Sequence, residues 1–378
     1  MFLGTATGSI KSSLKDRYAY RWPSTEDAAF DLFNPARIYQ WCLAIHRVRV
    51  AYAKVNGRRP RLLRPQRYTE KIQWRKLFDL NPVYATISDK LTARDFIAKR
   101  VGAHMLPPLL WSGDDPAAIP INTLDTPYVI KSTHACGHVL KVWQRQDFDA
   151  EGAISVLQDW LGTDYGRAFD EPANAALPRR LLIERLLLRA DGKPPLERRF
   201  YVFAGRVRFV QTTFADDDGL HHRAFNDRDW RPLEWYFKTP NQPEQCHRPK
   251  RYDDLVALAE CLGQGFDHIR VDMYDADDEL WVGELTVYPL GGLTSFTPDE
   301  ADKIVGSYWN LHRPARRAIG AVLFRWWRIR LNESDFLPRS ERCLEESSAA
   351  RETTCPPHPS RSDETRYTAA TAAALSEG

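Results

Sequence analysis

The run IRVDMYDADDELWVGELTVYPLGG, residues 269–292, limits what this chain can fold into more than any other stretch. Apolar and polar residues alternate on both sides of an acidic turn, as in a β-hairpin. Asp272 and Glu284 nevertheless fall inside the apolar strands, where acidic residues are depleted. A carboxylate in that setting needs a cation or several donors beside it. Strands at 269–274 and 280–288, joined by five residues, pair Tyr274 with Leu280, Asp272 with Val282 and Arg270 with Glu284. Cross-strand partners share a face, so Arg270, Asp272, Glu284 and Thr286 project to one side, with the two acids as diagonal neighbours roughly 7 Å apart. Two carboxylates at that reach suit a hard cation such as Mg²⁺, with waters or phosphates completing its shell. Arg270 would meet a carboxylate or a bound anion. A connection of even length would send the two acids to opposite faces. Asp275, Asp277, Asp278 and Glu279 read as a solvated turn. Asp272, close to that turn, is open to the same reading, whereas Glu284 is surrounded by Leu280, Trp281, Val282, Leu285 and Val287.

A second signal is TPYVIKSTHACGHVLKVW, residues 126–143. Lys131 ends an apolar strand and a small polar turn with Gly137 follows, so an ammonium and backbone N–H groups can approach a phosphate together. The plainer reading is a strand-end lysine snorkelling over a hairpin turn. His134, Cys136 and His138 lack a second cluster at ligand spacing and do not read as a metal site.

Around these motifs helical spacing predicts helices at 35–55, 69–81, 86–101, 150–163 and 253–266, with Ser88 or Asp89 as an N-cap for the third. Strands are expected in PYVIKST, HVLKVW, RLLIERLLL, RRFYVFAG and RVRFVQTTF. Strands interleaved with helices imply an α+β or α/β core. At 378 residues with 43% hydrophobic content the chain can bury two or three subdomains. A net charge of +3 excludes a dedicated nucleic-acid binder. Six scattered cysteines and no long apolar run point to a reduced, cytoplasmic protein without a membrane span. After about 332 the chain is polar and expected to be disordered. The basic stretch RPARRAIGAVLFRWWRIRL, 313–331, carries an apolar stripe through Ile319, Val322, Leu323, Trp326 and Ile329. It reads as a helix packed on the core, with peripheral contact to the inner membrane face as the alternative.

These pieces in this order resemble the ATP-grasp superfamily, in its TupA-like branch for teichuronopeptide biosynthesis. The resemblance runs from about 64 to 305, through PQRYTEKIQWRKLFDLNPVYATISDKLTARDFI, YVIKSTHACG, LLIERLLL, ERRFYVFAGRVRFV and FDHIRVDMYDADDELWVGELTVYPLGG. It implies an α+β ATP-grasp fold with two α+β subdomains clasping ATP. The divisions expected are a helical or loop region at 1–60, the first part of the core at 61–126, and a subdomain with the phosphate loop at 127–186. A subdomain with the metal site and a terminal basic helix follows at 187–332, then a disordered tail at 333–378. Lys90 and Lys131 match the two lysines that reach the ATP phosphates. Glu184 matches the acid lining the adenine pocket, where backbone groups of Arg185 and Leu186 would read the base. Glu197 would bind ribose and Arg199 phosphate. Asp272 and Glu284 match the acids that hold Mg²⁺, or Mn²⁺ in its place, and Arg270 a contact to substrate. Thr286 stands where many ATP-grasp enzymes carry an asparagine metal ligand, and the loop THACGH is poor in glycine.

The activity implied is a ligase joining a carboxylate to an amine through an acyl phosphate, with Arg270, Arg199 and Lys131 as catalytic groups. The partners implied are a sugar-linked or small-molecule carboxylate and an amine donor in polysaccharide assembly, with no nucleic acid. Two rivals remain. The D-x-D within DADD, 275–278, suits a glycosyltransferase metal site, and a protein of this fold without turnover would bind ATP only.

Overall fold

The computed structural model describes residues 35–79, 81–145, 150–175, 177–215, 221–277 and 279–311. The basic stretch 313–331, the tail 333–378 and residues 1–34 lie outside the described residues.

Helix α1 (Pro35–Asn56) buries Ala44 and Val48 against Leu62 and Leu77. Helix α2 (Tyr68–Phe78) is buried along almost its whole length, charged residues included. Those side chains close off carbonyls on other elements, as buried polar groups require. Lys71 Nζ donates to the Gly306 carbonyl at 2.8 Å, Gln73 Nε2 to that of Gly291 at 2.8 Å, and Arg75 Nη1 to those of His268 and Val287 at 2.9 and 3.1 Å. The TEKIQWRKL motif is thus a polar spine that fixes the segments around it. The helix expected over 86–101 is two helices, α3 (Val83–Ser88) and α4 (Thr92–Val101). Asp89 makes the break, its Oδ1 accepting from the amides of Leu91 at 2.8 Å and Thr92 at 3.3 Å. Lys90 is held in that break, its amide bonded to the Thr133 carbonyl at 3.1 Å.

Strands β1 (Leu109–Gly113), β2 (Tyr128–Ser132), β3 (Val139–Val142) and β4 (Leu181–Arg185) form an antiparallel sheet in the order β1-β4-β2-β3. β1, within the segment 61–126, forms the edge of this sheet. Tyr128, Ile130, Leu181 and Ile183 pack around Leu157 of α5 (Ala150–Gly162). Alternation along the strands sends Lys131 and Glu184 to the opposite face. Two single turns, α6 (Tyr165–Ala168) and α7 (Pro172–Ala175), lead from α5 towards β4.

The second sheet contains β5 (Glu197–Phe203), β6 (Arg206–Ala215) and β7 (His221–Asp227). A short β8 (Tyr236–Phe237) and helix α8 (Tyr252–Gly263) come next, then β9 (His268–Ala276) and β10 (Glu279–Thr286). The order is β10-β9-β5-β6-β7, all antiparallel. β11 (Phe296–Thr297) pairs with β8, and α9 (Ala301–Ser307) follows. One face of this sheet carries Phe200, Val202, Val271 and Met273, in the large core shared with α8. Gly263 permits the close approach, since a Cβ there would meet Val202 at 2.4 Å. The other face is aromatic at one end, where Tyr68 of α2 meets Tyr201, Phe203 and His268, and polar at the other.

The 269–292 hairpin is real, but its register differs from the sequence expectation. Ala276 pairs with Glu279, so the connection is two residues, an even number. Parity alone would then separate the acids. The register shifts between Val282 and Glu284, and the extra residue Gly283 restores the parity, as a β-bulge does. Glu284 is therefore directly opposite Asp272, not diagonal to it, and Arg270 faces Thr286 instead of Glu284. Gly283 fits there because a Cβ would lie 2.5 Å from the Tyr274 ring.

Candidate functional site

A cleft runs between the two sheets, lined by Lys90, Arg94, Lys131 and Glu184 on one side and Gly283, Glu284 and Leu285 on the other. Ile97 and Leu106 close its apolar end. The two lysines and the acidic hairpin thus meet in one cavity.

On the first wall, Glu184 is clamped by two cations, Arg94 Nη1 at 2.6 Å and Lys131 Nζ at 2.7 Å. Lys90 Nζ donates to the Ala135 carbonyl in the 132–138 turn at 2.7 Å. Gly137 in that turn has φ +81 with open space around it, so this one glycine gives the turn its shape. Of the backbone groups of Arg185 and Leu186, the two amides donate to the carbonyls of Pro108 at 3.0 Å and Pro127 at 3.1 Å.

The second wall is a set of rows across the sheet. Gln211, Arg199, Asp272 and Glu284 stand opposite one another on β6, β5, β9 and β10. In the next row Arg223 pairs with Thr213, and Thr213 with Glu197. Arg270 grips Asp272 with two bonds of 2.6 Å, Nε to Oδ1 and Nη2 to Oδ2. Arg199 is ion-paired with Glu197, and its Nε lies 3.7 Å from Asp272 Oδ2. The Thr286 hydroxyl donates to Glu284 Oε1 at 3.2 Å. The cation that the buried acids demanded is therefore Arg270, with Arg199 behind it.

Charge differs between the two acids. Burial pushes Asp272 up to about 6, with Arg270 opposing and Glu197 adding to the rise. Burial acts the same way on Glu284, but Lys90, Arg270, the Thr286 hydroxyl and Arg199 together outweigh it and hold that carboxyl below its ordinary range. Lys90 belongs to the first wall, so the two walls already sense each other. Glu171 lies nearby, bonded by Asn174 Nδ2 at 2.7 Å and 3.9 Å from Lys76 Nζ. Burial pushes its carboxyl up to about 7, against Lys76 and Asn174, with Glu284 adding to the rise.

Three cationic residues went unnoticed in the sequence. Arg94 sits one helical turn after Lys90, a spacing that offered a signal. Arg223 is on β7, whose HHRAFND has one strand-forming residue, Phe225, and Lys238 follows β8 in irregular chain. Arg223 is pulled below its ordinary range by burial and then by Arg199, and Lys238 by burial and then by Arg223 and Arg199; Arg223 Nη1 also donates to Thr239 Oγ1, next to Lys238, at 2.8 Å.

The donor chemistry suits a magnesium-bound polyphosphate. Asp272, Glu284 and Thr286 offer oxygen ligands only, the preference of Mg²⁺, and too few to saturate it. Glu284 is the freer ligand, since Arg270 occupies both oxygens of Asp272. Among the described residues no group of three or more His, Cys, Asp or Glu could hold a metal, and Cys136 is a free, exposed thiol. Lys90, Arg94, Lys131, Arg199 and Arg270 outnumber Glu184, Glu197, Asp272 and Glu284 by five to four, an excess that favours an anionic ligand. The D-x-D of the turn is used elsewhere: Asp275 lies 3.9 Å from Arg198, and Asp277 accepts from the Ala190 amide.

A family model for TupA-like ATP-grasp proteins matches residues 70–310. Among solved structures, the ATP-grasp ligase PsnB complexed with a phosphomimetic precursor variant, Mg and ADP is 14% identical, with a TM-score of 0.33 over 64% of this chain and 60% of that one. D-alanine–D-alanine ligase from Bacillus anthracis is 14% identical, with a TM-score of 0.35 over 65% of this chain and 69% of that one. The VanG D-Ala:D-Ser ligase from Enterococcus faecalis is 14% identical, with a TM-score of 0.33 over 53% and 52%. The chain thus spans 60% of the length of PsnB. No curated protein matches the sequence. No helix among the described residues is long and apolar enough to cross a membrane.

Proposed function

The chain belongs to the TupA-like ATP-grasp family, and from that premise we propose that it is an ATP- and Mg²⁺-dependent carboxylate–amine ligase of cell-surface polysaccharide assembly. One observation carries the reading: Lys90 and Lys131 face Glu284 across a single cleft. The resemblance to teichuronopeptide biosynthesis supports the pathway, and the family match supports ATP and Mg²⁺ as cofactors.

In this reading a carboxylate oxygen of the substrate attacks the γ-phosphorus in line, and ADP leaves. The acyl phosphate then reacts with an amine, which forms the amide and releases phosphate and a proton. Lys90, Lys131 and Arg199 offset the phosphate charge in a partly dry cleft, where electrostatic stabilisation is strongest. Mg²⁺, when bound by Asp272, Glu284 and Thr286, supplies Lewis-acid charge compensation for the phosphates. Arg270 holds Asp272 in place and keeps it ionised. Glu184 orients Lys131, and Glu197 orients Arg199. The substrate supplies its own nucleophile, so no serine or cysteine is needed.

The test is ADP release across a panel of uronic acids and amino acids. The wild type should turn over at least one pair, and Glu284→Gln should abolish that turnover. Nucleotide binding without ADP release from any pair would leave only an ATP-binding protein. Thermal stabilisation by sugar nucleotides with Mn²⁺, and none by ATP with Mg²⁺, would favour a glycosyltransferase.

A further inference from the structure

Beyond the acids on β9 and β10, the same face of the sheet extends past Arg199, which the ligase reading already uses, to two cations that it does not use, Arg223 and Lys238. Arg223 stands two strands from Glu197 through Thr213, and its Nη1 donates to Thr239 Oγ1 at 2.8 Å. The buried Nε atoms of Arg223 and Arg199 have no hydrogen-bond partner. No carboxylate among the described residues pairs with Arg223 or Lys238. A buried guanidinium N–H left without an acceptor is costly, and a bound anion is the natural acceptor.

The backbone beside it gives a second, independent indication. Lys238 has φ +69, and the Thr239 amide donates to the Phe237 carbonyl at 3.0 Å. A two-residue hydrogen bond around a positive φ is a γ-turn of the rare, strained kind. Glycine adopts that conformation freely, whereas lysine does not. Strain of this sort persists where the side chain is needed at a functional site.

We propose that Arg223, Lys238 and Arg199 form an anion subsite for a second acidic group of the carboxylate substrate, a carboxylate or phosphate other than the one activated. This rests on the ligase reading for its biological role. The row structure places the subsite on the β7 side of the metal acids, so a substrate lying across the sheet reaches both. It selects substrates bearing two acidic groups over those bearing one.

Calorimetry with inorganic phosphate, and in a separate arm succinate, tests this on the full chain with Mg²⁺ and a non-hydrolysable ATP analogue bound. The wild type should still bind one of these probes with the nucleotide in place, and the tighter probe identifies the group. Lys238→Gly and Arg223→Gln should each weaken that binding about tenfold or more, as loss of a charge-assisted bond does. Analogue affinity should stay within about twofold, and Lys238→Gly should melt no lower than the wild type because it relieves the turn. Three results overturn the proposal: no probe binding to the wild type, binding that vanishes once the analogue is present, or affinity unchanged in both variants. If the analogue itself fails to bind, the ligase reading fails. The difference in probe binding between wild type and Lys238→Gly in nucleotide-free protein then decides the subsite.

Discussion

The two walls of the cleft are built in different ways. The first gathers Lys90 and Arg94, Lys131, and Glu184 from three separate segments of the chain, and a single carboxylate joins two of its cations. The second is written into the register of one sheet, where Arg199, Asp272 and Glu284 occupy one row. The first wall therefore depends on individual ion pairs, each replaceable at moderate cost. The second depends on parity, and a single residue, Gly283, decides it.

The largest effect should come from filling that bulge. Gly283→Val drives a side chain into the Tyr274 ring and should cost about 3 kcal/mol, the upper end for overpacking. It should also remove Mg²⁺-dependent nucleotide binding. Urea denaturation and calorimetry measure the two losses, and an intact metal response would mean that the bulge does not set the acids' positions.

Glu171, just before α7 and beside Lys76 of α2, gives the next effect. Its folded pKa of about 7 lies above its ordinary 4.5. A raised carboxyl binds its proton more tightly when folded, so its stabilisation is full below pH 4.5 and fades as pH rises through 7. The loss by pH 7 is on the order of 2–3 kcal/mol. Glu171→Gln should flatten the stability profile across this window, and a variant that tracks the wild type from pH 4.5 to 7 would contradict the assignment.

On the first wall, Glu184→Gln leaves Lys131 and Arg94 without their shared charge. A loss of about 1.5–3 kcal/mol is expected, the value of a hydrogen bond to a charged group. Nucleotide affinity should fall less than for Gly283→Val. A reversed order would mean that the ion-paired wall, not the register, is the more exacting of the two.

The same contrast explains what could be seen in the sequence. Strand alternation put Asp272 and Glu284 on one face, and that is where they are. It did so from a five-residue turn that the structure replaces with two residues and a bulge, and the two errors cancelled in parity. Alternation cannot see the bulge, because Gly283 is placed by its contact with Tyr274, which is tertiary. Lys90 and Lys131 were recognisable by their motifs, but the clamp on Glu184 needs Arg94, 90 positions away, and no local pattern reports that. The apolar spacing of 86–101 survives the Asp89 break, so periodicity alone gives one continuous helix there. β7 carries no strand signal in HHRAFND beyond Phe225, because it gains its place from pairing with β6. Arg223 and Lys238 were missed along with it.

The account rests on one nucleotide touching both walls. Titration of ATP with and without Mg²⁺, in the wild type, Lys131→Met and Glu284→Gln, tests this most directly. Mg²⁺ should tighten ATP about tenfold or more in the wild type and have no effect in Glu284→Gln, while Lys131→Met should weaken ATP whether or not the metal is present. A full Mg²⁺ effect in Glu284→Gln, or unaltered ATP affinity in Lys131→Met, would contradict it.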